Sequence, residues 1–225
     1  MNTKIPNTVT AIESAAFFNC TGLTAITIPA SVRTIGSNVF DGCSGLTSII
    51  VEEGNSKYDS RDNCNAIILT KNNRLIVGCK NTNIPENITK IESFAFAGHT
   101  GLTSITIPNS ITSIGYQAFS DCLGLTKVIC HATTPPSAGK AFESVNKGAC
   151  ILRVPNGSIT AYQQADEWKE FAFIEGLETG IGNIKPNNGK SDAYSTDGRL
   201  IQRNADIKSL KKGLYIINGK KVMVR

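Results

Sequence analysis

Residues 102–122, LTSITIPNSITSIGYQAFSDC, contain the pattern that decides the fold. Their apolar positions fit neither the 3.6-residue period of an amphipathic helix nor the simple alternation of one strand. The same order of residue types returns every 23 residues, and internal periods of roughly 20–50 residues indicate a repeat architecture. The four copies cover residues 5–27, 28–50, 84–106 and 107–129. Each copy is therefore predicted to form one coil of a solenoid.

Five columns of the repeat keep the same class of residue in every copy. One of them is a glycine directly before the leucine of each LTxI segment, where a turn needs a permissive backbone. A single copy cannot bury its apolar residues, whereas stacked coils bury each large side chain at a gain of about 1.5–3 kcal/mol. The aromatic column is expected to form one continuous row, made of Phe17, Phe40, Phe96 and Phe119.

The pattern IPxxVTxIxxxAFxxCxxLTxI resembles the BspA-like leucine-rich repeats of bacterial surface proteins, and residues 5–129 follow it closely apart from one insertion. The resemblance implies a β-rich leucine-rich-repeat solenoid with few short helices. The stretches CHATTPPSAGKAF and LRVPNGSITAYQQADEWKEFAFI also look like this family. We interpret residues 130–175 as a C-terminal cap, with a short helix starting near Ser158 and Trp168 as a core anchor, so that the solenoid domain spans residues 1–175. The first copy begins without a complete strand before it, which is consistent with a longer parent array or a processed one.

The insertion, residues 51–83, separates the second copy from the third. The segments AIIL and RLIV flank a polar KNN, which predicts a β-hairpin with its turn near residues 72–73. Such a hairpin either extends one coil outward or replaces part of one. Cys64 and Cys79 lie on either side of it and are the best disulfide candidates, although an odd total of seven cysteines argues against a complete disulfide framework.

Composition changes after the cap. Residues 176–190 are predicted to be a linker, and residues 191–225 a small all-β domain with DG and NG turns. This last segment resembles the C-terminal sorting domain carried by substrates of a Bacteroidetes secretion system, through TDGR at 196–199 and LKKGLYIINGKK at 210–221. The resemblance implies export across the outer membrane of a Gram-negative bacterium, to the cell surface or the medium. The beginning of the sequence shows no basic stretch followed by an apolar segment, as a secretion signal would.

The positive net charge is concentrated in the C-terminal segment. Residues 185–225 carry 10 Lys and Arg against 3 Asp, whereas residues 1–184 carry 13 Lys and Arg against 15 Asp and Glu. A basic segment of this kind fits either an anionic partner or a soluble, charged β-unit. We favour the soluble unit, and expect no nucleic-acid partner. Because no apolar stretch approaches about 20 residues, we expect no membrane span.

Side chains that could perform chemistry are few and lie in structural columns. Cys20, Cys43 and Cys122 share one repeat column with His99, which predicts a buried ladder of small residues and a packed histidine. We find no CxxC, phosphate-binding loop or Ser-His-Asp arrangement. The sequence therefore predicts a protein without catalytic residues, cofactor or metal.

The solenoid is expected to present the outward side chains of its LTxI strands as an extended surface. We predict that this surface docks host or bacterial surface proteins, with extracellular-matrix proteins among them, since the family is associated with adhesion. The alternatives are ordinary strand-forming residues on a structural spacer, or a glycan-binding module. The sequence leaves the oligomeric state open. The candidate contact residues are Ala25, Thr27, Ser48, Ile50, Ser104, Thr106, Lys127 and Ile129.

Overall fold

The computed structural model describes residues 2–177, 191–195, 200–205, 210–217 and 220–224. It divides into two compact units, Met1–Gly176 and Leu177–Arg225. The first unit contains one α-helix, α1 (Ile159–Gln164), and short 3₁₀ turns at Arg61–Asn63, Thr70–Asn72, Asn156–Ser158 and Trp168–Glu170. Within the described residues, no helix is long and apolar enough to cross a membrane.

The LTxI segments form parallel strands that stack from coil to coil. They build a three-stranded sheet in the order β1-β3-β5 and a four-stranded sheet in the order β10-β12-β13-β14. Consecutive coils pair in register, with Ile26 opposite Ile49 and Ile105 opposite Val128. Alternate residues are buried in five of these strands, as the period of two requires: β3, β5, β10, β12 and β13. The strands are β1 (Asn2–Lys4), β3 (Ala25–Ile28), β5 (Ser48–Val51), β10 (Ser104–Ile107), β12 (Lys127–Cys130), β13 (Ile151–Val154) and β14 (Phe173–Gly176).

A second set of short strands lies further along each coil. β2 (Ala11–Ile12) pairs with β4 (Thr34–Ile35), and β9 (Lys90–Ile91) pairs with β11 (Ser113–Ile114), in both cases in parallel. The turn that follows carries the aromatic column and also bonds to the next coil. The N–H of Phe17 donates to the carbonyl of Val39 at 2.9 Å, and the N–H of Phe96 donates to that of Ala118 at 2.7 Å. Backbone bonds therefore tie neighbouring coils together on more than one side.

The insertion forms the predicted hairpin. β6 (Tyr58–Asp59), β7 (Ala66–Leu69) and β8 (Arg74–Gly78) are antiparallel neighbours, and Asn73 ends the β7–β8 turn with a left-handed φ of 51°. Both faces of the hairpin are buried. Ile68 belongs to the core of the third and later coils, whereas Ile67 belongs to the core of the first two. The hairpin therefore separates two hydrophobic cores, and β8 replaces part of a coil by pairing with β9.

The expectation of one continuous phenylalanine row is wrong at this hairpin. Phe17 stacks on Phe40 at 5.1 Å between ring centroids, and Phe96 stacks on Phe119 at 4.9 Å. Among the described residues, no ring contact joins Phe40 to Phe96. The reason is Gly78, whose N–H donates to the carbonyl of Ala95 as a residue of the aromatic column would. The insertion thus supplies a coil that has glycine in place of phenylalanine, and the row is divided into two.

Gly78→Ala is expected to destabilise the first unit by about 1–3 kcal/mol, because its Cβ would overpack the core. That Cβ would lie 2.1 Å from the ring of Phe96, which is buried and stacked on Phe119. Gly22→Ala is the matched control, since a Cβ at Gly22 meets nothing within 4 Å. Guanidinium unfolding followed by the fluorescence of the single tryptophan measures both variants. Equal midpoints would contradict this account of the glycine.

The cap begins with a further coil that extends the aromatic row. Phe142 stacks on Phe119 at 5.0 Å, and Trp168 packs edge-on against Phe142 at 5.4 Å. The indole Nε1–H of Trp168 donates to the carbonyl of Pro136 at 2.7 Å, so this fully buried side chain has its polar group satisfied. Helix α1 begins one residue after the predicted start and places Tyr162 in the same core. Trp168 is therefore the anchor that the sequence predicts.

Cys64 and Cys79, the best disulfide candidates of the sequence, form no disulfide, and both thiols are free and buried. Cys64 lies in the core of the third and later coils, whereas Cys79 lies in that of the first two, so the hairpin keeps the thiols on opposite sides. The cysteine ladder is confirmed only in part. Cys43 and Cys122 are buried, and the thiol of each donates to a carbonyl of the preceding coil, that of Phe17 and that of Phe96, whereas Cys20 is exposed and has no such bond among the described residues. Burial raises the pKa of Cys43 to about 11, so that thiol stays protonated.

The second unit is a small antiparallel sheet in the order β16-β15-β17-β18. Its described core contains Ala193, Leu210, Ile217 and Val222. The TDGR segment at 196–199, the NG pair at 218–219 and residues 178–190 of the predicted linker lie outside the described residues. The strands are β15 (Ser191–Tyr194), β16 (Leu200–Ala205), β17 (Gly213–Ile217) and β18 (Lys220–Val224).

Candidate functional site

The eight predicted contact residues lie at the outward positions of four strands, in two groups. Ala25 pairs with Ser48 and Thr27 with Ile50 across β3 and β5. Across β10 and β12, the corresponding pairs are Ser104 with Lys127 and Thr106 with Ile129. The residues that are exposed are Ile50, Ser104, Thr106 and Lys127, and those that are half-buried are Ala25, Thr27, Ser48 and Ile129.

These residues do not form one surface strip. β5 and β10 belong to different sheets, because the hairpin enters the solenoid between them. The outward residues of the three-stranded sheet are named here the three-strand face: Lys4, Ala25, Thr27, Ser48 and Ile50. Those of the four-stranded sheet are named the four-strand face: Ser104, Thr106, Lys127, Ile129, Ile151, Arg153, Phe173 and Glu175.

Four of the eight residues of the four-strand face were not predicted from the sequence. Ile151 continues the row of Lys127, and Arg153 continues that of Ile129. Phe173 and Glu175 extend these two rows onto β14. The ILRV segment at 151–154 predicts a strand within the cap, but the sequence does not give the register that would add its outward residues to the surface. Nothing in the pattern marked β14 as the fourth strand of that sheet.

The four-strand face combines three apolar side chains with charged neighbours. Phe173 is 52% exposed on the edge strand β14, Ile151 is half-buried beside it on β13, and Ile129 is half-buried on β12. Arg153 and Glu175 form an ion pair at 3.3 Å, which at this exposure contributes little to stability. Apolar side chains next to polar and charged ones are the usual composition of a protein–protein interface. The face therefore has the chemistry to contact another protein.

Groups suited to metal binding are not found on this face. Within the described residues, no three or more His, Cys, Asp or Glu side chains are grouped so that they could hold a metal ion. The buried thiols have raised pKa values, as burial raises that of Cys122 to about 12, and they face the core.

Comparison with known families identifies the repeat. A family model described as BspA type leucine rich repeat region matches residues 1–77 and 73–165, in six copies. The chain belongs to the BspA-type leucine-rich repeat family. The six copies exceed the four read from the sequence, and the structure accounts for additional coils at the hairpin and at the start of the cap. No curated protein matches this sequence.

Several solved structures are similar to this BspA-type chain. A leucine-rich cell surface protein from Faecalibacterium prausnitzii shares 25% identity over 76% of this chain and 52% of its own, with a TM-score of 0.47. A leucine-rich repeat protein from T. pallidum shares 18% identity over 81% of this chain and 76% of its own, with a TM-score of 0.39. A leucine-rich repeat protein from Eubacterium ventriosum shares 18% identity over 78% of this chain and 54% of its own, with a TM-score of 0.44. The chain thus matches about half the length of the first and third of these proteins.

Proposed function

We propose that this BspA-type repeat protein is a non-catalytic binding protein whose four-strand face docks a host or bacterial surface protein. The observation that carries the proposal is Phe173, a large apolar side chain 52% exposed at the end of a flat sheet. Ile129 and Ile151 extend the apolar area towards the middle of that sheet. Lys127 and the Arg153–Glu175 pair supply polar groups beside it.

The size of the face makes it the centre of an interface and not the whole of it. Four strands about 4.8 Å apart and four residues of about 3.3 Å each give a surface of roughly 14 by 13 Å, or about 190 Å². One side of a standard protein–protein interface buries about 800 Å². Because a few large side chains usually carry most of the binding energy of an interface, Phe173 and Ile129 are expected to contribute most of it.

A variant with Phe173→Asp and Ile129→Asp is expected to bind its partner at least about tenfold more weakly, since it replaces two apolar contact side chains of the face by charges. The measurement is a binding screen of the full chain and its variants against immobilised extracellular-matrix proteins, bacterial surface proteins and glycans, followed by titration of each specific ligand. Ile50→Asp on the three-strand face is the matched control, because Ile50 is also 52% exposed.

Four results of this screen would contradict the proposal. Unchanged binding by the double variant would exclude the four-strand face, and loss of binding by Ile50→Asp alone would move the site to the three-strand face. A screen without any specific ligand would favour a structural spacer. Retention on glycans alone would favour a glycan-binding module, for which the fully buried Trp168 offers no stacking surface.

The proposal includes a place on the bacterial cell surface or in the medium. It rests on the BspA-type repeats and on the resemblance of residues 191–225 to a Bacteroidetes sorting domain. The described part of that segment is a four-stranded antiparallel sheet, which is compatible with a small independent domain. In this proposal the second unit directs export across the outer membrane, and the first unit binds the partner.

A further inference from the structure

A cleft of about 380 Å³ lies beside the hairpin, where the solenoid changes from the second copy to the third. Its volume is within the range of about 300–1,000 Å³ that ligand sites occupy. Asn38, Val39 and Phe40 line one side, and Ser93 and Ala95 line the other. Ile76 and Val77 of β8 contribute apolar contacts, and the hydroxyl groups of Ser14 and Ser37 lie in the lining.

At the other junctions of the solenoid, the turn of one coil donates three alternate N–H groups to the next coil. From the first copy to the second, the donors are Ala15, Phe17 and Asn19, with N···O distances of 2.8–3.0 Å. From the third copy to the fourth the donors are Phe94, Phe96 and Gly98, and from the fourth copy to the cap they are Gln117, Phe119 and Asp121. This ladder is a regular property of the repeat.

At the cleft the second copy makes one of the three ladder bonds to the third copy, from Gly42 N–H to the carbonyl of Ala97 at 3.2 Å. The middle carbonyl of the third copy, that of Ala95, accepts from Gly78 N–H of the insertion at 2.8 Å. Among the described residues, the corresponding N–H groups of Asn38 and Phe40 donate no backbone hydrogen bond, and the carbonyl of Ser93 opposite accepts none from them. Two donors on one side of the opening and one acceptor on the other therefore lack the bonds that join coils elsewhere.

A side-chain group at the same place is also unpaired. Oδ1 of Asn38 is buried and has no hydrogen-bond partner within the described part of the chain. The cleft thus offers N–H donors at alternate residues together with acceptor oxygens. An extended peptide backbone presents the complementary groups in the same alternation, which is how a peptide adds a strand to an open edge.

We propose that this cleft binds a short extended peptide segment of a partner protein, which pairs with the unpaired backbone groups of Asn38, Phe40 and Ser93. The segment lies beside Gly78, which already holds the middle position of the turn through its bond to Ala95. Side chains of the segment that point inward contact Ile76 and Val77, so apolar or small residues are favoured at those positions. This site is separate from the four-strand face and does not depend on it.

The test uses a synthetic peptide of sequence GYQAFSD, which is residues 115–121 of this chain. In the solenoid this segment accepts the hydrogen bonds of Phe94, Phe96 and Gly98 through its carbonyls. Amide hydrogen exchange of the full chain is measured with and without the peptide. In the free protein, the amides of Asn38 and Phe40 are expected to exchange faster than those of Ala15 and Phe17, and saturating peptide is expected to slow them about tenfold or more.

Ser93→Tyr is designed to fill the cleft without disturbing the core. Ser93 is exposed, and the next coil carries Tyr116 in the same repeat column at 48% exposure, so a tyrosine fits this turn. This variant is expected to abolish the protection of Asn38 and Phe40 by the peptide. The matched control is Ser104→Tyr, which changes an exposed residue on the four-strand face. This variant is expected to keep the protection of the Asn38 and Phe40 amides by the peptide.

Other results would overturn the proposal. Slow exchange of both amides in the free, dilute protein would mean that another part of the chain pairs with them. Protection that grows with protein concentration alone would assign the cleft to a second copy of the chain. Absence of protection at saturating peptide, or equal protection in Ser93→Tyr, would mean that the N–H groups of Asn38 and Phe40 bond to water and that the cleft does not bind the peptide.

Discussion

Phe119→Ala is expected to lower the free energy of unfolding of the first unit by about 3–5 kcal/mol. Phe119 is fully buried, and its ring is stacked between those of Phe96 and Phe142 at 4.9 and 5.0 Å. Truncation removes the transfer free energy of the ring and leaves a cavity between two flat neighbours that cannot close on each other. Because each coil contacts only its neighbours, the loss also weakens the junction between the fourth copy and the cap.

Phe17→Ala is the matched control for this prediction. Phe17 occupies the same repeat column, but it is half-buried and stacks on one ring only, that of Phe40 at 5.1 Å. Its loss is expected to cost roughly 1 kcal/mol, since less apolar surface is removed. Guanidinium unfolding is followed by the fluorescence of Trp168, which packs against Phe142, and by circular dichroism. Similar costs for the two variants would contradict a row whose members are stabilised by stacking on both sides.

The repeat columns predicted the solenoid because they are a local pattern. Each buried column needs only the same residue type one coil away, so a 23-residue period in the sequence becomes a stack of coils in space. Phe142 obeys this rule as well, because it follows Phe119 by 23 residues and is preceded by Ala141, as Phe119 is by Ala118. The additional coil was therefore present in the sequence. The rest of that copy departs from the pattern, which hid it within the cap.

The division of the outward strand residues into two separate faces could not be predicted in the same way. The sequence showed that residues 51–83 form a hairpin, but its effect depends on where its two faces pack. Ile67 and Ile68 are adjacent apolar residues, and only the tertiary structure places them in different cores. Likewise, the sequence around Gly78 does not match the repeat pattern, so the sequence alone does not assign Gly78 to the aromatic column. The separate faces and the cleft follow from these long-range contacts, which no local period encodes.

Acid destabilises the first unit through His99, and the expected loss is about 3 kcal/mol between pH 7 and pH 4. Burial lowers the pKa of His99 from its ordinary 6.5 to about 4, against the opposing effect of the backbone carbonyls of Cys43 and Gly78. The unfolded chain therefore binds a proton at a higher pH than the folded chain does. The contribution of the neutral His99 to the free energy of unfolding is fully present above pH 6.5. It is lost as the pH falls towards 4, at about 1.4 kcal/mol per pH unit.

His99→Cys is expected to remove this pH dependence, because cysteine occupies the same repeat column as Cys43 and Cys122 and carries no charge in acid. The free energy of unfolding is measured by guanidinium titration at several pH values, and the difference between wild type and variant is plotted. Other groups titrate in this range, among them Asp41, whose pKa is raised by burial and by Asp121 and which therefore opposes the loss. The difference plot cancels such contributions where the substitution leaves them unaltered.

The matched control is His131→Cys, at the exposed position of the second histidine, which is expected to keep the acid loss because His99 is retained. A difference between wild type and His99→Cys that stays constant from pH 7 to pH 4 would show that His99 is charged and solvated in the folded protein. That result would contradict the burial of its imidazole, which is 1% exposed. If the free energy of unfolding of wild type minus that of His99→Cys falls by about 3 kcal/mol from pH 7 to pH 4, the neutral, buried imidazole is the group that limits stability in acid.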